Sequence, residues 1–223
     1  LVGRIGAFVE LHVEQGRALD DVHANVGVGS HIWPHGRWRI DVPGEANHAG
    51  TTALDDRRDA MLGFAAAVIA ARRAAQSRGC VATVGKVRAT PNGVNAIPSE
   101  VTGWLDARGE SEAAVHQVVA DVTEVMADFE ATVQEESWTP TTAFDDALVR
   151  RLASRLGGIP VLGTGAGHDA GILAGAGVRA AMLFVRNPTG ISHPPEEVAA
   201  EADRLAGVDA LTRVLDDLTG ATP

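Results

Sequence analysis

The chain has 223 residues, 45% of them hydrophobic, and a formal net charge of −10. That length can bury one or two cores, while the charge argues against nucleic acid or an anionic membrane as the main partner. No apolar run nears the roughly 20 residues of a membrane span, no charged and then apolar leader opens the chain, and the single Cys80 rules out an internal disulfide and suits a reducing cytoplasm.

In chain order, "FVELHVEQG" at residues 8–16 reads as a strand. Its alternation puts Phe8, Glu10, His12 and Glu14 on one face and Val9, Leu11 and Val13 on the other. A surface strand would explain a histidine between two carboxylates, and so would a strand that delivers a metal ligand. A strand around Arg37 to Val42 follows, then a loop holding Pro43, Gly44 and Gly50. "LDDRRDAMLGFAAAVIAARRAAQSRG" predicts a helix with acids at its start, Arg72 and Arg73 late, and Gly79 as its stop. "VATVGKVRAT" and "NAIPSEVTGWLDARG" predict two strands joined by the turn "PNG". "SEAAVHQVVADVTEVMADFE" predicts a second helix capped by Ser111, and "ATVQEESW" a last strand.

The order βαββαβ is that of a split β-α-β, ferredoxin-like unit, with two helices on one face of a four-stranded sheet. It is expected over residues 26–140. The flanks, residues 1–25 and 141–223, read as part of an α/β domain with too few strands to be complete. They hold a helix near Asp145 to Leu156, the glycine-rich turn "GTGAGHDAGILAGAG", the apolar strand "RAAMLFV", and a last helix opening at "HPPEE". Val198, Leu205, Val208, Leu211, Leu215 and Leu218 mark that helix's expected buried stripe. The two prolines after His193 are expected to hold its backbone extended and fix its ring. "GAGHDAG" permits close backbone approach to an anion at a helix start, and a plain strand-to-helix turn explains it equally.

Together, "ELHVEQG", "GEANHAGTT", "RRDA", "NAIPSEV", "LDAR", "GAGHDA" and "GISHPPEE" stand in the order and approximate spacing of a known family. The sequence resembles, over nearly its whole length, the dinuclear-metal amidohydrolases. These include N-carbamoyl-L-amino-acid hydrolases, β-ureidopropionase and allantoate amidohydrolase, and are relatives of the aminoacylase and carboxypeptidase group. The resemblance implies a metal-bearing α/β domain interrupted by a lid that also forms a homodimer.

It also implies roles, residue by residue. His12 and His193 would ligate the metals, with Glu14 a candidate to orient His12. Gln15, His168 and the turn Gly165, Ala166, Gly167 would line the substrate pocket. His48 would polarise the scissile carbonyl, and Asn95 and Arg108 would hold the substrate's carboxylate from one edge of the lid. The chemistry suits those residue types: a guanidinium fork matches a carboxylate, and an imidazole N–H a developing oxyanion.

Members of the family also carry an H-x-D motif, a bridging Asp and a Glu-Glu pair ahead of the strand that bears His12. None of these precedes His12 here, Asp169 matches the pocket turn, and neither Glu135-Glu136 nor Glu196-Glu197 can take their place. The chain is therefore expected to be the C-terminal portion of such an enzyme. The parent would use two divalent ions (manganese, zinc, cobalt or nickel) to cleave the ureido C–N bond of an N-carbamoyl-L-amino acid or allantoate. The alternative is a non-catalytic dimerisation and substrate-binding module complemented by another chain.

Overall fold

A computed structural model describes residues 2–220. The chain divides into two compact units, one formed by the stretches up to Trp33 and from Thr142 onward, the other by Pro34–Thr141. In chain order the first unit contributes β1 (Phe8–Val13), the short helix α1 (Ala18–Asp21) and β2 (Val26–Ile32). The second supplies β3 (His35–Pro43), β4 (Asn47–His48), α2 (Ala60–Arg78), β5 (Val81–Thr90), β6 (Ala96–Ile97), β7 (Glu100–Arg108), α3 (Glu112–Ala127) and β8 (Thr132–Thr139). The first unit resumes with β9 (Thr142–Ala143), α4 (Asp146–Arg155), β10 (Val161–Thr164), α5 (Asp169–Gly175), β11 (Ala180–Val185) and α6 (Glu201–Thr219).

The first unit is built on a mixed sheet in the order β1-β11-β2-β10, with β9 paired to β2. Every residue of β11 is buried, as a near-continuous apolar run requires of a central strand. β1 runs parallel to it, setting Glu10 opposite Met182 and His12 opposite Phe184. Asp145 begins α4, its carboxylate accepting the Leu148 N–H at 2.7 Å. Leu148 and Leu152 then join Val28, Met182, Leu183 and Phe184 in one core.

Two expectations are corrected in this unit. The insert expected from residue 26 loses Val26–Ile32: β2 pairs with β11, β10 and β9, so the change of unit falls at residues 33 and 34. The last helix starts at Glu201, not at the prolines, and buries Asp203, Gly207, Ala210 and Val214. Leu205, Val208 and Leu215 are exposed, as is Val198 ahead of the helix, while Leu211 and Leu218 pack partly against the core. Close approach sets that rotation: a Cβ on Gly207 would lie 2.5 Å from Val185 Cγ2, so only glycine lets the helix seat here. A periodic count of large apolar residues misses a face made of glycine, alanine and a paired aspartate.

The second unit is a fully antiparallel sheet in the order β5-β7-β3-β8 with α2 and α3 packed on it. β3 alternates cleanly, burying Gly36, Trp38, Ile40 and Val42. The helices supply Phe64, Ala67, Ala71, Val115, Val118, Val122 and Met126 to the core. Phe64 lies over Gly103, where a Cβ would sit 2.2 Å from its ring. Ser111 caps α3 by accepting the Ala114 N–H. The first helix begins later than its acids suggest: Leu54–Asp56 form a separate 3-10 turn, and Asp59 caps α2 by accepting the Met61 N–H at 2.9 Å. Gly79 ends it in the left-handed conformation, φ 64°. No helix among the described residues is long and apolar enough to cross a membrane.

Candidate active site

In the first unit, one face of β1 decides the site. Glu10 Oε2 accepts the Ala170 N–H at 2.8 Å, at the start of α5, and Glu10 Oε1 lies 3.5 Å from His168 Nδ1. The His168 ring meets that of His12 edge-on, with centroids 4.8 Å apart, and rests against Phe184. His12 places Nδ1 2.8 Å from the Val13 carbonyl oxygen, so Nδ1 carries the proton and Nε2 keeps its lone pair. The His168 side chain is 2% exposed, and its Nε2 is buried without a hydrogen-bond partner. Burial, and then His12 beside it, push the His168 imidazole below the ordinary histidine range, against the opposing pull of Glu10 and Asp169.

His193 enters from the loop before α6. Its Nε2 lies 3.1 Å from Gln15 Nε2, which also donates to Ser192 Oγ at 2.8 Å. Its backbone N–H donates to Glu197 at 2.5 Å. That hydrogen bond is the main reason the Glu197 carboxyl is held below its usual range; desolvation opposes it, and Ser192, His193 and His12 add smaller pulls the same way as the bond. The expectation of an extended backbone at His193 is corrected, since φ is +76°. The Asn187 carboxamide folds the preceding loop by accepting the N–H groups of Thr189 and Gly190, and the His193–Glu197 bond closes the next turn. Glu14 does not orient His12. Its buried carboxylate accepts the Ala18 and Leu19 N–H groups at 2.6 and 2.9 Å and caps α1 instead.

In the second unit, His48 is exposed on β4, which pairs with β6, and its Nδ1 accepts the Gly50 N–H at 3.0 Å. Arg57 pins this loop by donating to the Ala49 and Thr52 carbonyls. Asn95 is next to it, its carbonyl accepting the Ala49 N–H at 2.9 Å. Arg108 stands at the far end of β7, opposite His35. The expectation that Asn95 and Arg108 share one edge is therefore corrected: eight residue steps of strand separate Arg108 from Glu100, about 26 Å. Arg108 grips Asp106 with Nε and Nη2 at 2.6 and 2.8 Å, and Arg37 approaches the same carboxylate at 3.5 Å. Burial pushes the Asp106 carboxyl up, but Arg108 and then Arg37 outweigh it and hold the group below its usual range.

Residues 2–217 match the model of peptidase family M20/M25/M40. The chain belongs to this family. The allantoate amidohydrolase of Escherichia coli K12 is 32% identical over 226 residues, which is 96% of this chain and 55% of that protein. The N-carbamoyl-L-amino acid amidohydrolase of Geobacillus stearothermophilus is 33% identical over 223 residues, 94% of this chain and 54% of that protein. The crystal structure of a hydantoinase/carbamoylase family amidase from Burkholderia vietnamiensis superposes with a TM-score of 0.84 at 32% identity, covering 94% of this chain and 53% of the other. The chain thus spans about half the length of the relatives it matches.

This M20 chain gathers His12, Gln15, His168 and His193 from three separated stretches of sequence into one region of the first unit. Gly165 to Gly167 form the turn leading to His168, which Thr164 steadies by accepting the Ala166 N–H at 3.1 Å. The donor set fits a divalent ion. Glu10, His12 and His168 offer ligand atoms all within 4.8 Å of one another, and one buried ring nitrogen has no partner. Among the described residues this is the one such group of three. Sequence reasoning missed Glu10, Glu197 and Asp106 as parts of the candidate sites. Glu10 had a signal, two residues from His12 on the same strand face, whereas the Glu197 turn had none.

Proposed function

We propose that this chain is part of a metal-dependent amidohydrolase that cleaves the ureido C–N bond of N-carbamoyl-L-amino acids or allantoate. The observation that carries the reading is the convergence of Glu10, His12 and His168, beside Gln15 and His193, in a chain whose relatives act on such substrates. His12 and His193 would hold divalent ions, manganese or zinc before cobalt or nickel, with His168 and Glu10 next to them. Such ions, when bound, polarise a carbonyl and lower the pKa of water. Gln15 and the turn Gly165, Ala166, Gly167 to His168 would line the pocket, and His48 would donate its ring N–H to the oxygen of the scissile carbonyl as charge develops there. Asn95 and Arg108 would hold the substrate's carboxylate, and Asp106 fixes the direction of the Arg108 guanidinium through its Nε and Nη2.

The length of β7, about 26 Å from Glu100 near the His48–Asn95 loop to Arg108 at its other end, supports a homodimer. One small ureido acid cannot touch both ends of a single copy, so a second copy would supply one of them. In this reading the second unit is a lid and dimerisation domain, and the single Cys80 suits a cytoplasmic setting.

Two measurements test the proposal. Bound manganese or zinc is quantified after dialysis of the chain and its His12→Ala and Arg108→Lys variants; His12→Ala is expected to lose metal and Arg108→Lys to keep it. Equal metal in His12→Ala and the parent chain overturns the assignment of His12. Ammonia release from N-carbamoyl amino acids and from allantoate is followed for the chain alone, where none is expected, and for an assembly with the rest of a full-length parent. There, Arg108→Lys is expected to cost about 2–3 kcal/mol in kcat/KM, the scale of a lost charge-assisted hydrogen bond. An assembly inactive on both substrates would favour the non-catalytic module.

A further inference from the structure

The proposed roles set Glu10 beside the metal-holding histidines without giving it a task, yet it is the residue that ties β1 to the turn carrying His168. Its side chain is 17% exposed; Oε2 accepts the Ala170 N–H at 2.8 Å, and Oε1 faces His168 Nδ1 at 3.5 Å. Although it stands in the donor group with His12 and His168, a carboxylate with an oxygen already held by a backbone N–H and the other facing His168 is better placed to orient that neighbour than to serve as a ligand. We infer that Glu10 is a positioning residue: it holds His168 as the tautomer protonated at Nδ1, so that the buried Nε2 is kept as a bare lone pair beside His12. An ionised carboxylate only accepts hydrogen bonds, so it favours the proton on the imidazole nitrogen that faces it. The other nitrogen is then an acceptor, and it is the atom that the structure leaves buried without a partner. Val13 imposes the same tautomer on His12 through its carbonyl, 2.8 Å from His12 Nδ1. Two neighbouring imidazoles are thus held in one tautomer by two different acceptors, and each is left with an unprotonated Nε2.

What this does for a ligand rests on the ureido-acid reading above. The Nε2 of His12 is reserved for a cation, and that of His168 can accept an N–H from the ureido group. A terminal ureido –NH₂ is rich in donors, and a buried acceptor with no other partner discriminates against ligands that lack one.

The test is the tautomer itself, read from long-range ¹H–¹⁵N correlations of the imidazole rings in the ¹⁵N-labelled chain, at a pH where the rings are neutral. In the unsubstituted chain His168 is expected to show a protonated Nδ1 and an unprotonated Nε2. In Glu10→Gln the carboxamide has one acceptor oxygen for two N–H groups. With that oxygen kept by Ala170, its –NH₂ faces His168 Nδ1, and the ring is expected to shift several-fold toward the Nε2-protonated form. The His12 tautomer, set by Val13, is expected to stay. An Nε2-protonated His168 in the unsubstituted chain overturns the inference without any variant. A folded Glu10→Gln chain with an unchanged His168 ring does the same. Adding N-carbamoylglycine separates this inference from the functional reading. If no resonance responds while the tautomers are as expected, the ureido reading fails and the positioning role of Glu10 stands.

Discussion

The two units use their carboxylates in different ways. In the first, Glu10 on β1 and Glu14 just after it accept backbone N–H groups at the starts of short helices, and Asp203 at the start of α6 is fully buried against Asn25 and Arg186. In the second, Asp41 and Asp106 sit part-exposed on the sheet and pair with Arg39, Arg37 and Arg108. A buried carboxylate that satisfies fixed donors sets where whole elements lie, because its loss strands those donors away from water. A part-exposed ion pair gains little beyond what water already offers. The first unit should therefore be sensitive to single carboxylate changes that the second tolerates.

Asp203→Ala should give the largest effect. It leaves the Arg186 guanidinium and the Asn25 carboxamide facing a cavity, and a loss of about 3–5 kcal/mol is expected in the unfolding free energy from urea denaturation. A loss below about 1 kcal/mol, the range of exposed pairs, would break the contrast. Glu14→Ala comes next. Two N–H groups, one belonging to the fully buried Leu19, lose a charged acceptor, for an expected cost of about 2–3 kcal/mol. Glu14→Gln should recover part of that cost, since one carboxamide oxygen can still accept; equal losses in the two variants would show that the hydrogen bonds are not the cause.

The smallest effect is expected at Asp106, where replacement by Asn should cost no more than about 1 kcal/mol. Its pH dependence sharpens the same point. The folded carboxyl is held below its unfolded value, so its contribution is complete above the unfolded pKa and is lost only as pH falls through the lower folded one. Side-chain carboxyl shifts followed by NMR should give Asp106 a midpoint below the ordinary value of about 3.9. A midpoint at or above that value would mean that Arg108 and Arg37 do not hold it.

Much of this organisation was written in local pattern. Alternation in β3, the cap at Ser111, the stop at Gly79 and the βαββαβ order followed from side chains a few residues apart, where sterics and hydrogen-bond geometry are fixed by the backbone period. The ordered motifs carried the family. Pattern failed where a buried face was made of small or paired residues, as with Asp203, Gly207 and Ala210 of α6. It also failed where a loop took its shape from its own side chains, as at Asn187 and the left-handed His193.

By itself, the sequence determined the main strands and helices of the second unit, the alternation of β3, and that His12 shares a strand face with Glu10 and is closely followed by Glu14. It could not say what those carboxylates do. Glu10 finds its partner 160 residues away at Ala170, because β1 lies in parallel register on β11 and α5 packs against both. Glu14 turns instead to the helix that follows it. Only tertiary structure decided that Asn95 stays with His48 while Arg108 lies at the other end of β7, since the length of a strand separates what the motif order lists side by side. The reason is common to all three cases. Periodicity fixes the direction in which a side chain leaves the backbone, but its partner is set by pairings between distant segments, which local geometry does not constrain.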